Sequence, residues 1–126
     1  MPVNIKIIHA FDFVRATVDG ALDRLTSIQA LVDIAWMIKM PGEFHVLIDT
    51  RDAQVKLSPD DLFELGVAVT RFPSLAESKT ALLTAMDGAH PARFIEIVGQ
   101  NRGALLKAFT SFEEAIIWLS TKEQQK

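Results

Sequence analysis

Two β-branched runs, Val3 to Ala10 and Phe13 to Asp19, open the chain with partial alternation of apolar and polar positions around a short Phe11-Asp12 corner. A period of two in such residues predicts a pair of antiparallel strands. From Thr26 to Met40 the apolar spacing becomes helical, and Pro41-Gly42 supplies the stop. Phe44 to Asp49 is a nearly continuous apolar run ending in an acid, the pattern of an interior strand whose C-terminal end reaches a polar surface. Ser58-Pro59-Asp60-Asp61 then offers a capping hydroxyl, a proline at the first helical position and acids in the first turn. A helix is predicted from there to about Phe72, ahead of Pro73. Lys79 to Met86 reads as another strand. His90-Pro91 opens a helix through about Gln100, with Gly103 available as a left-handed cap. Leu105 to Phe109 makes a last strand. Ser111-Phe112-Glu113-Glu114 has the form of a capping box that starts a final helix with Ala115, Ile116 and Leu119 on one face.

The resulting order, β-β-α-β-α-β-α-β-α, calls for right-handed crossovers and a mixed, mostly parallel sheet with the first strand antiparallel at or near an edge. The fold class is α/β. With 126 residues the expectation is one domain over 1–126, with a tail that frays from about residue 122. Composition narrows the function. Hydrophobic residues make up 49% and charged residues 23%, which excludes disorder, and the absence of cysteine removes disulfides, thiolate nucleophiles and cysteine-based zinc sites. Dispersed charges summing to −3, with a pI near 5.5, argue against nucleic-acid binding. Met1 to Ala10 has neither a basic leader nor a cleavage motif. The apolar stretch Leu25 to Met40 is broken by Asp33 and Lys39 and is shorter than the roughly 20 residues of a membrane span. No membrane span is expected, and the expected location is the cytoplasm.

Three segments of the chain carry a resemblance. Val46-Leu47-Ile48-Asp49 lies on the middle strand, Ser58-Pro59-Asp60-Asp61-Leu62 opens the next helix, and Ala108-Phe109-Thr110-Ser111-Phe112-Glu113-Glu114-Ala115-Ile116-Ile117-Trp118-Leu119 forms the last strand and helix. In this order they resemble the SpoIIAA-like (STAS-like) family, over about Ile5 to Leu119. The most specific piece is a strand ending in Phe, followed after a few residues by Glu-Ala-x-x-Trp-Leu. The resemblance implies a superhelix of βα turns shared with anti-sigma factor antagonists and, more distantly, with Sec14-type lipid carriers. It also implies a binding or regulatory role without catalysis and without a cofactor. One departure matters. The antagonists follow the middle strand with an Asp-Ser-Ser-Gly-type segment whose serine is phosphorylated, whereas here Asp49-Thr50-Arg51-Asp52 leads through Ala53 to Leu57. Thr50 and Ser58 are the nearest hydroxyls, yet Asp60 and Asp61 would repel a phosphate at Ser58, which reads more simply as a helix cap.

Catalytic constellations are absent from the sequence: there is no Gly-x-Ser-x-Gly elbow, and His9, His45 and His90 share no spacing suited to a metal or a triad. The acid pairs Asp60/Asp61 and Glu113/Glu114 fall in first helical turns, where they offset the macrodipole. Asp49, Thr50, Arg51 and Asp52 stand where ligands bind in open α/β sheets and form a candidate ligand or partner site, against the commoner outcome of a solvated loop. Helix surfaces carry a second signal. At 100° per residue Ile28, Leu31, Val32, Ala35 and Ile38 form the expected buried face of the first helix, while Trp36, Met37 and Met40 fall near its polar arc. In the next helix Leu62, Leu65, Val69 and Phe72 make one apolar stripe, and Phe63 and Val67 a second. Trp36, Met37, Met40, Phe63 and Val67 are therefore candidate interface residues, with a homodimer expected before the wall of an apolar pocket. Trp118 is expected over the sheet. The reading is a non-enzymatic STAS-like regulatory or interaction module that self-associates and binds a protein partner. A carrier or sensor of a small apolar or amphipathic ligand comes second, and an enzyme using Asp49 or Asp52 third.

Overall fold

The predicted alternation of strands and helices is present in the computed structural model, which describes residues 4–10, 13–37, 45–76 and 78–120. Along the chain come β1 (Asn4–Ala10), β2 (Phe13–Leu22), α1 (Arg24–Met37), β3 (His45–Asp49), β4 (Ala53–Val55) and α2 (Pro59–Val69). After these follow α3 (Pro73–Ala76), β5 (Thr80–Leu83), a 3-10 turn at Met86–Gly88, α4 (Ala89–Asn101), β6 (Leu106–Phe109) and α5 (Phe112–Ser120). The main sheet runs β1-β2-β3-β5-β6, with β1 antiparallel to β2 at one edge and the remaining pairs parallel. This is the mixed, mostly parallel α/β sheet, antiparallel at one edge, that the order of elements called for. Phe11-Asp12, Ile38 to Phe44 and the tail from residue 121 lie outside the described residues, and with them the Pro41-Gly42 stop and Met40.

Local chemistry explains where the elements begin and end. The first helix starts at Arg24 and not at Thr26, because Asp23 and Thr26 cap it reciprocally. The Thr26 backbone N–H donates to the Asp23 carboxylate, and the Asp23 N–H donates to the Thr26 hydroxyl, both at 2.9 Å. At α2 the capping box is complete: the Asp61 N–H donates to Ser58 Oγ at 3.2 Å and the Ser58 N–H to the Asp61 carboxylate at 3.0 Å. This helix closes at Val69, short of Phe72, because the Thr70 hydroxyl donates to the Val67 carbonyl at 2.6 Å and takes over its last turn. At the end of α4, Gly103 adopts φ +92°, so that the Ala104 N–H reaches back to the Gly99 carbonyl at 3.0 Å. Ser111 caps α5 through the Glu114 N–H at 3.2 Å. Lys79 to Met86 yields a strand of only four residues, and Met86 turns into the 3-10 segment.

Two apolar layers flank the sheet. On one face Ala16, Val18, Val46, Ile48 and Leu106 pack under α1, α2 and α4, with Leu75 of α3 joining them. On the other face Phe13, Leu47, Ala81, Leu83 and Phe109 meet Ala115 and Leu119 of α5. Trp118 packs there too, its ring centroid 5.7 Å from that of Phe109. The buried face of α1 is Ser27, Ala30, Leu31 and Ile34, and Ile28, Val32 and Ala35 are only partly buried. The expected face was thus rotated from the observed one, because a helix that is apolar nearly all round has little periodic phase to read. At the β6 edge, Glu96 accepts the Ala108 N–H at 2.8 Å and the Gln100 amide donates to the Leu106 carbonyl at 2.9 Å. Side chains of α4 thereby occupy backbone groups that would otherwise invite another strand.

α2 and α4 meet at Gly66, where a Cβ would lie 2.6 Å from both Cβ and Cγ1 of Val98. Gly66→Ala should therefore destabilise the fold by about 1–3 kcal/mol in urea unfolding through overpacking. That loss outweighs the ~1 kcal/mol that alanine gains as a helix former. Adding Val98→Ala should restore part of the loss; a single variant as stable as the parent would refute the close contact.

Candidate functional site

Successive residues at the end of β3 point to opposite faces of the sheet, and this pleat creates two different environments a residue apart. Asp49 faces the α5 side and is 3% exposed. Its carboxylate accepts from Arg15 Nη2 of β2 at 3.0 Å, from Arg51 Nε and Nη2 at 3.0 and 2.8 Å, and from the Arg51 backbone N–H at 3.1 Å. Both guanidinium groups lie against the Phe112 ring at the start of α5, 5.1 and 5.6 Å from its centroid. Burial alone would push the Asp49 carboxyl up, but the hydrogen bonds from Arg51 and Arg15 and the Arg51 charge together hold it below the usual aspartate range. Arg51 is raised in turn, first by its hydrogen bond to Asp49 and further by the charges of Asp49, Asp52 and Glu113. A carboxylate held in this way stays ionised at neutral pH and fixes the directions of two cations.

Of the four residues expected at this strand end, the structure gathers Asp49 and Arg51 into the cluster and leaves Asp52 exposed. Thr50 turns to the other face, where its buried hydroxyl donates to the Leu83 carbonyl at 2.9 Å. Ser58 holds the α2 cap. Arg15 and Phe112 were not foreseen. Arg15 is 34 positions from Asp49 and is marked in sequence only by being a charge on the same side of its strand as Phe13. Gly20, at φ +102°, lets β2 turn from its pairing with β3 to a short parallel pairing with β4, from Gly20↔Ala53 to Leu22↔Val55. β4 is too short to show a period.

On the Thr50 side, an apolar cavity of about 90 Å³ lies between the sheet and the helices α1, α2 and α4. The register partners Ile48 and Leu82 form its floor, and no charged residue lines it among the described residues. Leu82, in a central strand, is only partly buried, whereas its neighbours Ala81 and Leu83 are fully buried. Ser27 of α1 also lines the cavity; its hydroxyl is buried and has no hydrogen-bond partner among the described residues. Trp36 and Met37, expected at a homodimer interface before the wall of a pocket, do not line this cavity: they sit on the outer face of α1, 80% and 55% exposed. Phe63 of α2 is exposed beside Arg102, which follows α4, the guanidinium 5.9 Å from its ring. The candidate interface residues thus divide between two surfaces. No helix among the described residues is long and apolar enough to cross a membrane.

No family model matches this chain, and no curated protein matches it. Solved structures do. A protein of the DUF3478 family with a SpoIIAA-like fold from Shewanella loihica PV-4 aligns with a TM-score of 0.55 at 21% identity, over 94% of each chain. An anti-sigma factor antagonist from Mycobacterium paratuberculosis aligns with a TM-score of 0.62 at 15% identity, over 94% of this chain and 95% of its own. At these identities the likeness establishes the SpoIIAA-like fold.

Replacing Asp49 leaves the partly buried Arg15 and the exposed Arg51 without their shared anion. Asp49→Asn should lower stability by about 2–3 kcal/mol at pH 7. Because the folded carboxyl titrates below its unfolded value, this contribution is complete above about pH 4 and fades as pH falls through the lower folded pKa. Urea unfolding of parent and variant between pH 7 and pH 2.5 should show the gap narrowing on the acid side. A gap independent of pH would contradict the ionised cluster.

Proposed function

We propose that this chain is a non-catalytic regulatory module that works by binding a protein through the outer face of α1, with a second copy of itself as one such partner. The observation that carries this reading is the exposure of large apolar side chains on that helix. Trp36 is 80% exposed, Leu25 68% and Met37 55%, while the opposite face of the same helix is buried in the core. Leu25 and Trp36 are three turns apart and share a side, with the Gln29–Asp33 pair, hydrogen-bonded at 2.9 Å, beside them. Tryptophan and methionine are enriched where proteins meet, and large apolar groups left in water in this way mark contact surfaces. The fold shared with an anti-sigma factor antagonist, by its name a protein directed at another protein, supports the same reading. So does the state of Asp49, whose carboxylate is committed to two arginines and is not poised for proton transfer.

In sedimentation velocity the parent protein should show a concentration-dependent monomer–dimer equilibrium, and Trp36→Asp should shift it to monomer at every accessible concentration. Both should keep the same far-UV circular dichroism and differ by under about 0.5 kcal/mol in stability, as expected for an exposed position. Phe63→Asp, on the other surface, should leave the equilibrium unchanged. A parent protein that stays monomeric, or a Trp36→Asp variant that still dimerises, would remove self-association through α1.

A further inference from the structure

We infer that the cavity beneath α1 is a binding site for a small, neutral, aliphatic molecule of about two to three carbons carrying one hydroxyl or carbonyl group. Protein interiors pack as tightly as organic crystals, and voids larger than a water molecule are few. Here about 90 Å³ lies open between a central strand pair and three helices, and the floor residue Leu82 keeps unburied surface although its strand is flanked on both sides. An engineered apolar cavity of roughly 150 Å³ accepts a six-carbon ring, so the present one suits a proportionally smaller guest. Its lining sets the chemistry. Without a charged group, and with leucine, isoleucine and valine dominating, the site excludes ions and favours hydrocarbon.

The hydroxyls decide the polar part of the guest. Of the three hydroxyl residues on the lining, Thr50 spends its proton on the Leu83 carbonyl and Thr84 lies against Gly88, whereas the Ser27 hydroxyl is buried and unpartnered among the described residues. A buried hydroxyl without a partner is costly, and a guest with one hydrogen-bonding group would satisfy it. The partly exposed lining residues Val55, Leu57 and Pro91 come from the segments that follow β3 and β5. The cavity therefore meets solvent at the C-terminal ends of the parallel strands, where open α/β sheets bind ligands, and Ser27 stands in the first turns of α1 at that same end. The guest enters with its chain inward and its polar group toward Ser27.

Titration of the 15N-labelled protein with 1-propanol should produce saturable amide shifts at Ala30, Ile34, Ile48 and Leu82. Ser27→Ala should weaken 1-propanol binding about fivefold while leaving xenon binding unchanged, since xenon reports on the apolar void alone. Leu82→Phe and Ala30→Leu each fill the void; whichever keeps a dispersed spectrum should lose binding of both probes. Three results would overturn the inference. They are the absence of saturable shifts in the parent, shifts confined to the Trp36 surface, and undiminished binding in a folded, filled variant. Repeating the titration on Trp36→Asp keeps this outcome separate from that of the protein-binding reading.

Discussion

A slip of one residue in the register of β3 would carry Asp49 into the apolar layer under α1 and turn Ile48 toward the two arginines. Every side-chain assignment at the strand end depends on that register. It is held from both sides. β2 pairs with β3 from Phe13↔His45 to Thr17↔Asp49, and β5 from Val46↔Thr80 to Asp49↔Leu83. Beyond the ladder, the Thr50 N–H and hydroxyl both donate to the Leu83 carbonyl, at 2.8 and 2.9 Å, which extends the pairing one residue further. The Arg15–Asp49–Arg51 cluster adds a charge-based check on the same register, because only this alignment brings the carboxylate within 3.0 Å of Arg15. A buried ion cluster is weak grounds for stability, since burying charges is costly; its effect here is to specify one alignment.

What the sequence disclosed followed from how local the physics was. Helix starts at Ser58 and Ser111 and the helix end at Gly103 were legible because each cap is set by residues within three or four positions. Asp23 and Thr26 are an equally local pair, but the apolar run that begins beyond them drew the boundary two residues late. The phase of α1 was legible only in part: Leu31 lies inside and Trp36 and Met37 outside as expected, but Ile28, Val32 and Ala35 are only partly buried. Leu25, Trp36 and Met37 face water while Ser27 is buried, the reverse of their hydropathies. Tertiary packing, not periodicity, chose the inner face, and Ser27 and Ala30 are small enough to let that face approach the sheet.

The candidate site was half legible for the same reason. A strand ending in an acid at the C-terminal side of a parallel sheet pointed to Asp49 and Arg51. Nothing local joined them to Arg15, 34 residues earlier, or to Phe112, more than 60 later. The cavity was invisible to sequence, because it is a property of volumes left over when four elements pack, and each of its lining residues reads alone as ordinary core.

The position of α1 gives these separate features a common setting. Its inner residues Ser27, Ala30, Leu31 and Ile34 wall the cavity, and its outer residues Leu25, Trp36 and Met37 face solvent. The two surfaces lie one helix diameter apart, about 10 Å, with no loop between them. A helix moves as a rigid rod, so a guest that displaced Ala30 and Ile34 outward would displace Trp36 by a similar amount. The ion pairs between α1 and α2 are weak: Arg24 reaches Asp61 and Glu64 only at 3.9 and 3.7 Å, as surface pairs of small energetic weight. On the reading of the cavity inferred above, occupancy inside the fold would bear on the surface that α1 offers outside it. The coupling can be no larger than the difference in guest affinity between the two positions of the helix.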